Sequence, residues 1–277
     1  MDELQRTRRI IRRGDVAIDL IAEGRGPLLV LLPSSSRDSE DFDALAAKLA
    51  AEGFRVLRPQ PRGMLGSTGP SRGISLHDLA QDVAIAIAEE DGGPAIVAGH
   101  AFGNYVARMT AADHPHLVRG VVLIAAATKS IPPELSAAVH RAGDPTLPEA
   151  ERLAALRLGF FAPGHDPRPW LAGWHPAAGE MQRAATQATP REAWWPAGNA
   201  PILEIQADLD PFKPREKRGE LGAELGDRVQ TVSIADASHA LIPEQPDAVV
   251  SAITAWAETL PPPGAPARRP RVVSCPE

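Results

Sequence analysis

The sequence predicts an α/β fold: a mostly parallel central sheet flanked by helices, with one helical cap insertion. Three observations predict this fold. The chain has apolar runs of strand length, it has amphipathic stretches between them, and it has one long interval without a strand. Runs such as LLVLL at 28–32 and VVLIAAA at 121–127 do not alternate polar and apolar residues, which is typical of strands buried on both faces. Strands that alternate with helices favour a parallel sheet covered on both sides.

The predicted elements follow one another regularly on both sides of the long interval. The apolar runs bounded by turn residues predict strands at 16–22, 28–32, 55–57, 95–98, 120–125, 201–206 and 229–234. The amphipathic stretches predict helices at 41–52, 76–90, 103–113, 214–225 and 245–258. This order predicts one large domain rather than a set of repeats.

The interval 128–200 breaks this order, because it contains helical patterns at 132–141, 147–158 and 177–189 but no convincing strand. It holds four of the five tryptophans of the chain, Trp170, Trp174, Trp194 and Trp195. Such residues fill the core of a small helical subdomain or wall an apolar pocket, and both roles can hold together. We expect a lid over a substrate pocket that at least two of these tryptophans line.

These patterns divide the chain into a core of residues 1–127 and 201–260, a cap of residues 128–200 and a tail of residues 261–277. The length of 277 residues fits one large α/β domain with an insertion. The tail carries six prolines and no hydrophobic period, so we expect it to be disordered.

Charge and cysteine content exclude some classes of partner. The net charge of −6 argues against nucleic acid or an anionic membrane. The chain has no secretory leader pattern and no uncharged apolar run near the roughly 18 residues that span a bilayer. Its only cysteine is Cys275, which suits a reducing compartment. We therefore expect a cytoplasmic protein; a homodimer remains open.

One segment has the pattern of a nucleophile-bearing turn without the nucleophile. Gly99-His100-Ala101-Phe102-Gly103 follows a predicted strand and precedes a predicted helix. Glycines two residues either side of the centre allow a strained turn to pack closely against its neighbours. In the pattern G-x-S-x-G the centre is a serine, and the next residue donates its amide N–H to the oxyanion. Here the centre is Ala101, and we expect His100 to have a structural role.

This segment resembles the nucleophile elbow of the α/β-hydrolase family, and the resemblance extends over roughly residues 9–260. Asp210-Pro211 resembles the acid turn of the family, and the loop bearing His239 resembles its histidine loop. The order elbow, acid, histidine is that of the family. The resemblance implies Asp210 and His239 as the catalytic acid and base. Asp208 competes with Asp210, but the proline that follows favours Asp210.

The loop after the run at 28–32 departs from the family. The family usually has His-Gly there, whereas this chain has Pro33-Ser34-Ser35-Ser36. By position, the Ser35 amide would join that of Phe102 in the oxyanion hole, and Ser34 would line the substrate pocket. Alternatively, one of the three serines acts as the nucleophile, although a loop serine is not oriented toward the histidine as an elbow serine is.

Alanine at position 101 leaves three explanations open, because it can form no acyl-enzyme. The chain is an engineered serine-to-alanine variant, or a native serine-less member in which Asp210 and His239 activate water or remove a substrate proton, or a ligand-binding protein without catalysis. Both Asp210 and His239 are retained, which fits the first. The departure at Pro33-Ser34 fits the second.

We therefore expect a hydrolase of a small, largely apolar ester, lactone or similar carbonyl compound. The alternatives are a cofactor-free lyase, isomerase or oxygenase that uses the His239–Asp210 pair as base, and a non-catalytic ligand-binding protein. No His, Cys or Asp cluster has metal-ligand spacing, so the sequence predicts neither a metal nor a cofactor.

Overall fold

A computed structural model of the chain, which describes residues 6–90 and 93–261, contains one eight-stranded sheet. Its strands are β1 (Thr7–Arg13), β2 (Val16–Gly24), β3 (Leu28–Leu32), β4 (Arg55–Pro59), β5 (Ala95–His100), β6 (Val118–Ile124), β7 (Ile202–Ala207) and β8 (Val229–Ile234). They lie in the order β1-β2-β4-β3-β5-β6-β7-β8. β1 and β2 pair antiparallel, β2 also pairs antiparallel with β4, and the remaining pairs are parallel. The predicted fold class is confirmed.

All seven predicted strands are present, and β1 is an eighth that the sequence patterns did not indicate. Its sequence is TRRIIRR, in which only Ile11 is buried. β1 is an edge strand that pairs with β2 alone. A solvated edge strand needs no apolar face, so a search for apolar runs does not find it.

Ten helices surround the sheet in the described residues. They are α1 (Asp43–Ala51), α2 (Leu76–Ala88), α3 (Gly103–Asp113), α4 (Pro133–Gly143), α5 (Glu149–Gly159), α6 (Pro176–Gln187), α7 (Arg191–Trp194), α8 (Glu220–Leu225), α9 (Leu241–Glu244) and α10 (Pro246–Thr259). The predicted helix at 214–225 is wrong in its first half, where a single 3-10 turn covers Arg215–Lys217 and α8 begins at Glu220. Neither α7 nor α9 was predicted.

The sheet is buried on both faces by different helices. On one face, residues of α2 and α3 join one apolar core; on the other, residues of α1 and α10 join a second. Strands with apolar side chains on both faces, such as β3, contribute to both cores. This burial on both faces explains why the sequences of the predicted strands are continuous apolar runs.

Between β6 and β7 the chain forms α4, α5, α6 and α7, and residues 128–200 contain no strand. We call residues 128–200 the insertion. It has a small apolar core of its own, in which Leu156, Phe160 and Trp170 are buried. The expectation of a disordered tail concerns residues 261–277, of which 262–277, including Cys275, lie outside the described residues.

Candidate active site

The elbow is a strained turn, and the absence of side chains at its two glycines lets the neighbouring backbone pack closely against it. Ala101 lies between β5 and α3 with a φ of 47°, and its amide donates to the Ile124 carbonyl at 3.1 Å. A Cβ on Gly103 would overlap the Leu32 carbonyl, and a Cβ on Gly99 would overlap the Gly103 backbone. A left-handed conformation costs a non-glycine residue about 1–2 kcal/mol. The surrounding backbone therefore imposes this turn on an alanine.

An imidazole–carboxylate pair lies beside the elbow. Asp210 follows β7 and His239 follows β8, and His239 Nδ1 lies 3.0 Å from Asp210 Oδ2. Both residues are buried: 4% of the surface of His239 and 2% of that of Asp210 are exposed. The second oxygen of Asp210 accepts the Phe212 amide at 2.8 Å, so both oxygens are held. Asp208, the competing acid, is exposed and pairs with Arg218 instead.

The second ring nitrogen of His239 is available for chemistry. Among residues 6–90 and 93–261, no group accepts or donates a hydrogen bond at His239 Nε2, and His239 lines a cavity that also reaches Ala101. A neutral imidazole whose Nδ1–H is held by a carboxylate presents a lone pair at Nε2. The arrangement can therefore remove a proton from a molecule in the cavity.

Two buried polar side chains hold the histidine loop from behind. His100 Nε2 donates to the His239 carbonyl at 2.7 Å. Burial lowers the pKa of His100 to about 3, so this ring is neutral, in keeping with its expected structural role. Glu244 accepts the amides of Ser238 and Ala162, each at 2.6 Å, and thereby joins the loop to the insertion; burial raises the pKa of Glu244.

Two backbone amides of the predicted oxyanion hole lie at the cavity without partners. Ser35 and Phe102 both line the cavity, as does Ser34. In the part of the chain that the structure describes, neither the Ser35 amide nor the Phe102 amide has a hydrogen-bond acceptor. Both residues are partly exposed, and a backbone amide with no acceptor is available to a ligand oxygen.

The cavity has a volume of about 590 Å³ and mainly apolar walls. The core contributes an apolar floor and the insertion an apolar wall; the apolar lining residues include Ala101, Phe102, Tyr105, Phe212, Ile131, Val139, Phe160 and Trp174. Exposed polar side chains, His140, Glu180, Arg183 and Gln187, lie at its outer edge. This volume and lining are typical of a small-molecule site.

The tryptophan prediction is wrong in part. Trp174 lines the cavity, but Trp170, Trp194 and Trp195 do not. Trp170 packs edge-on against Phe160 at 5.6 Å inside the core of the insertion. Trp194 and Trp195 join the core beside α2 and α3, because α7 packs against α3 rather than over the elbow. Tryptophan content alone did not distinguish a core from a pocket wall.

Tyr105, Phe160 and Phe212 are lining residues that the sequence analysis did not name as pocket residues. Tyr105, the only tyrosine, lies in the first turn of α3, directly after the elbow, and this place in the sequence could have indicated it. Burial raises the pKa of its phenol. Phe212 follows Asp210 by two residues, so its position just after a predicted strand could have indicated that it lines the cavity.

No group of three or more His, Cys, Asp or Glu side chains within residues 6–90 and 93–261 is placed to hold a metal ion. Over the same residues, the structure has no helix with the length and apolar character that crossing a membrane requires.

Comparison with known proteins places these features in a family. A model of the "Alpha/beta hydrolase family" matches residues 29–252. A pyrrolizixenacetamide deacetylase of Xenorhabdus hominickii is 28% identical over 42% of this chain and 44% of its own length. A putative non-heme haloperoxidase of Mycobacterium phage D29 is 32% identical over 38% of this chain and 37% of its own. These matches thus span less than half of each curated relative.

The fold similarity extends over nearly the whole chain. The crystal structure of an enol-lactonase from Burkholderia xenovorans LB400 superimposes with a TM-score of 0.73 and 20% identity. That superposition covers 90% of this chain and all of the lactonase chain. At this identity the similarity shows the fold and not the reaction.

Proposed function

Because the chain belongs to the α/β-hydrolase family, we propose that it hydrolyses a small, largely apolar ester, lactone or similar carbonyl compound. One observation carries the proposal: the buried His239–Asp210 pair, whose histidine lines an apolar cavity that also reaches the elbow. The names of a deacetylase and an enol-lactonase among similar proteins support carbonyl hydrolysis as the reaction class. The insertion acts as a lid, since its side chains form one wall of the cavity.

Each group in the site has one role in this hydrolysis. The substrate carbonyl lies over Ala101, and its oxygen accepts the amides of Phe102 and Ser35. His239 Nε2 takes a proton from water as the water oxygen bonds to the carbonyl carbon. The tetrahedral intermediate then releases the alcohol, which receives that proton from His239, and leaves the acid. Asp210 holds the ring tautomer and stabilises the imidazolium.

Alanine at position 101 makes this a slow route. Removing the serine of a comparable triad costs on the order of 10⁶ in kcat and leaves about 10³–10⁴ over the uncatalysed rate. In such a triad the remaining catalysis comes from the oxyanion hole and from binding. Here the His239–Asp210 pair adds to it by activating water as a general base. The chain as it stands therefore hydrolyses its substrate through water, with no acyl-enzyme at position 101.

Direct proton abstraction from the substrate is a second candidate reaction. The Ala101 methyl group lines the cavity where a hydroxyl would otherwise receive or donate a proton. Within residues 6–90 and 93–261, His239 Nε2 then has no hydrogen-bond partner with which to exchange protons, and a substrate C–H or O–H can take that place. Isomerase, lyase and cofactor-free oxygenase reactions begin with this step.

Hydrolysis of p-nitrophenyl acetate tests the proposal. We expect slow release of p-nitrophenol that His239→Ala abolishes, because the base is lost. Ala101→Ser should add an acyl-enzyme burst and raise the rate by roughly 10³- to 10⁶-fold, because the elbow retains both glycines.

Three other outcomes would contradict hydrolysis through the His239–Asp210 pair. Turnover that survives His239→Ala assigns the chemistry elsewhere. Exchange of substrate hydrogen for solvent deuterium without ester cleavage identifies proton abstraction. Binding of apolar carbonyl compounds to the chain and to Ala101→Ser, with no turnover by either, identifies a non-catalytic binding protein.

A further inference from the structure

The loop after β3 is held by the insertion. We call residues 34–38 the oxyanion loop. Gln182 of α6 is buried, with 2% of its surface exposed. Its Oε1 accepts the Ser36 amide at 2.9 Å and the Ser35 hydroxyl at 3.2 Å. One side-chain oxygen thus binds two consecutive residues of the oxyanion loop.

Three further contacts bring the start of α6 against this loop. The His175 amide donates to the Ser36 carbonyl at 2.7 Å, and His175 Nε2 lies 2.9 Å from Asp38 Oδ2. A Cβ on Gly179 would overlap the Ser36 hydroxyl, which would have to rotate away, so glycine allows this close approach without a rearrangement. The oxyanion loop and α6 therefore form one packed unit.

The oxyanion loop needs this support because its backbone is strained. The Arg37 amide donates to the Ser34 carbonyl at 3.2 Å, which closes a tight turn with Ser35 and Ser36 at its centre. Ser36 has a φ of 61°, a left-handed conformation that costs a serine about 1–2 kcal/mol. Turning over the Ser35–Ser36 peptide would relieve the strain at Ser36 by changing ψ of Ser35. The Ser35 amide, which belongs to the preceding peptide, would then shift as the turn rearranges. The hydrogen bond from the Ser36 amide to Gln182 opposes that change.

We propose that Gln182 is a positioning residue that keeps the Ser35 amide directed into the cavity. Gln182 touches no reacting atom; it acts through its hydrogen bonds to the Ser35 hydroxyl and the Ser36 amide. The proposal rests on the proposed function, since it assumes that the Ser35 amide receives a developing oxyanion. The Phe102 amide needs no such support, because the elbow itself orients it.

The two oxyanion donors therefore have different origins. Phe102 is placed by the glycine-packed turn of the core, whereas Ser35 is placed by a side chain of the insertion. Movement of α6 away from the core would remove one donor and leave the other. The insertion thus supplies part of the catalytic geometry as well as a wall of the cavity.

The test uses the full chain with Ala101→Ser, which makes turnover of p-nitrophenyl acetate fast enough to resolve kcat from KM. Gln182→Leu removes the acceptor, and we expect kcat to fall by about 10- to 100-fold with KM within about threefold. Gln182→Glu keeps an acceptor in the same place and should retain kcat within about threefold.

Gln206→Leu is the matched control. Gln206 is equally buried, and its Nε2 donates to the Arg218 carbonyl at 2.8 Å, away from the oxyanion loop. It should lose stability but keep kcat within about twofold. Gln182→Asn, one methylene shorter, repeats the test if Gln182→Leu does not fold, and should also lose kcat.

The outcomes separate this inference from the proposed function. An unchanged kcat in the folded Leu or Asn variant overturns the positioning role, as does an equal loss of kcat in Gln182→Glu. An equal loss in Gln206→Leu also overturns it, because the effect would then be general destabilisation. If neither the original chain nor Ala101→Ser hydrolyses the ester, the proposed function itself fails.

Discussion

The two sides of the cavity are built in different ways. On the core side, Ala101, Asp210 and His239 follow the ends of the parallel strands β5, β7 and β8, and backbone turns orient them. On the insertion side, Gln182 and His175 reach the oxyanion loop through side-chain and single backbone hydrogen bonds. The core side is therefore set by the sheet, and the oxyanion loop by how the insertion docks.

The two sides of the cavity should therefore differ in how well they tolerate substitutions. A position packed against backbone has no flexible neighbour that can move aside, so even a methyl group is disruptive. A position held by side-chain hydrogen bonds loses about 0.5–1.5 kcal/mol per bond and can relax. We expect changes on the core side to be larger than those on the insertion side.

The largest expected effect concerns the acid. In the Ala101→Ser chain, Asp210→Asn should lower kcat by about 10⁴, because the amide holds His239 in the wrong tautomer. Asp208→Asn is the matched control: Asp208 lies two residues away, is exposed and pairs with Arg218, so kcat should stay within about twofold. Stopped-flow hydrolysis of p-nitrophenyl acetate measures both. Equal losses would contradict the assignment of Asp210.

The next effect concerns elbow packing. Gly103→Ala should lower the free energy of unfolding by roughly 3 kcal/mol or more, because its Cβ would meet the backbone of Leu32 and Pro33. Gly222→Ala in α8 meets nothing within 4 Å and should raise stability by up to about 1 kcal/mol. Urea denaturation measures both. A Gly103→Ala chain as stable as the original would show that the elbow can shift.

The smallest effect concerns acid stability. His100 has a pKa lowered by burial to about 3, against 6.5 as the ordinary value. Below pH 6.5, His100 is therefore protonated in the unfolded chain but not in the folded chain, and the free energy of unfolding decreases as the pH falls toward 3. At pH 5 this amounts to about 2 kcal/mol.

His100→Gln should remove that part of the pH dependence while its side-chain amide can still donate to the His239 carbonyl. Urea titrations at pH 7 and pH 5 measure the difference, and His116→Gln, at an exposed site, controls for the loss of a histidine as such. A variant whose stability falls with pH as steeply as that of the original chain would show that His100 is protonated in the folded state.

The chemistry of the core side was accessible from the sequence because its signals are local. The elbow needs two glycines around one residue between a strand and a helix, and these lie within five positions, Gly99 to Gly103. Asp210 and His239 each follow a strand-like run in the family order. The roles of these residues remain predictions, but their proximity follows from parallel strands that end at one edge.

Other features depended on contacts between distant segments. β1 is recognised by its pairing with β2, since its own sequence is mostly arginine. Trp194 and Trp195 pack against α3 because α7 docks there, which no periodicity within the insertion indicates. Phe160 reaches the cavity from a segment far along the chain from Ala101.

The amino-acid sequence was enough to predict seven of the eight strands, the two helical layers and the positions of the elbow, the acid and the histidine, because strand burial and turn geometry act over a few residues. Only the tertiary structure decided which tryptophan lines the cavity and that Gln182 supports the oxyanion loop. Gln182 and Ser36 are 146 residues apart, and their contact exists only because α6 packs on the core at Gly179. Such contacts depend on docking angles that local patterns do not encode.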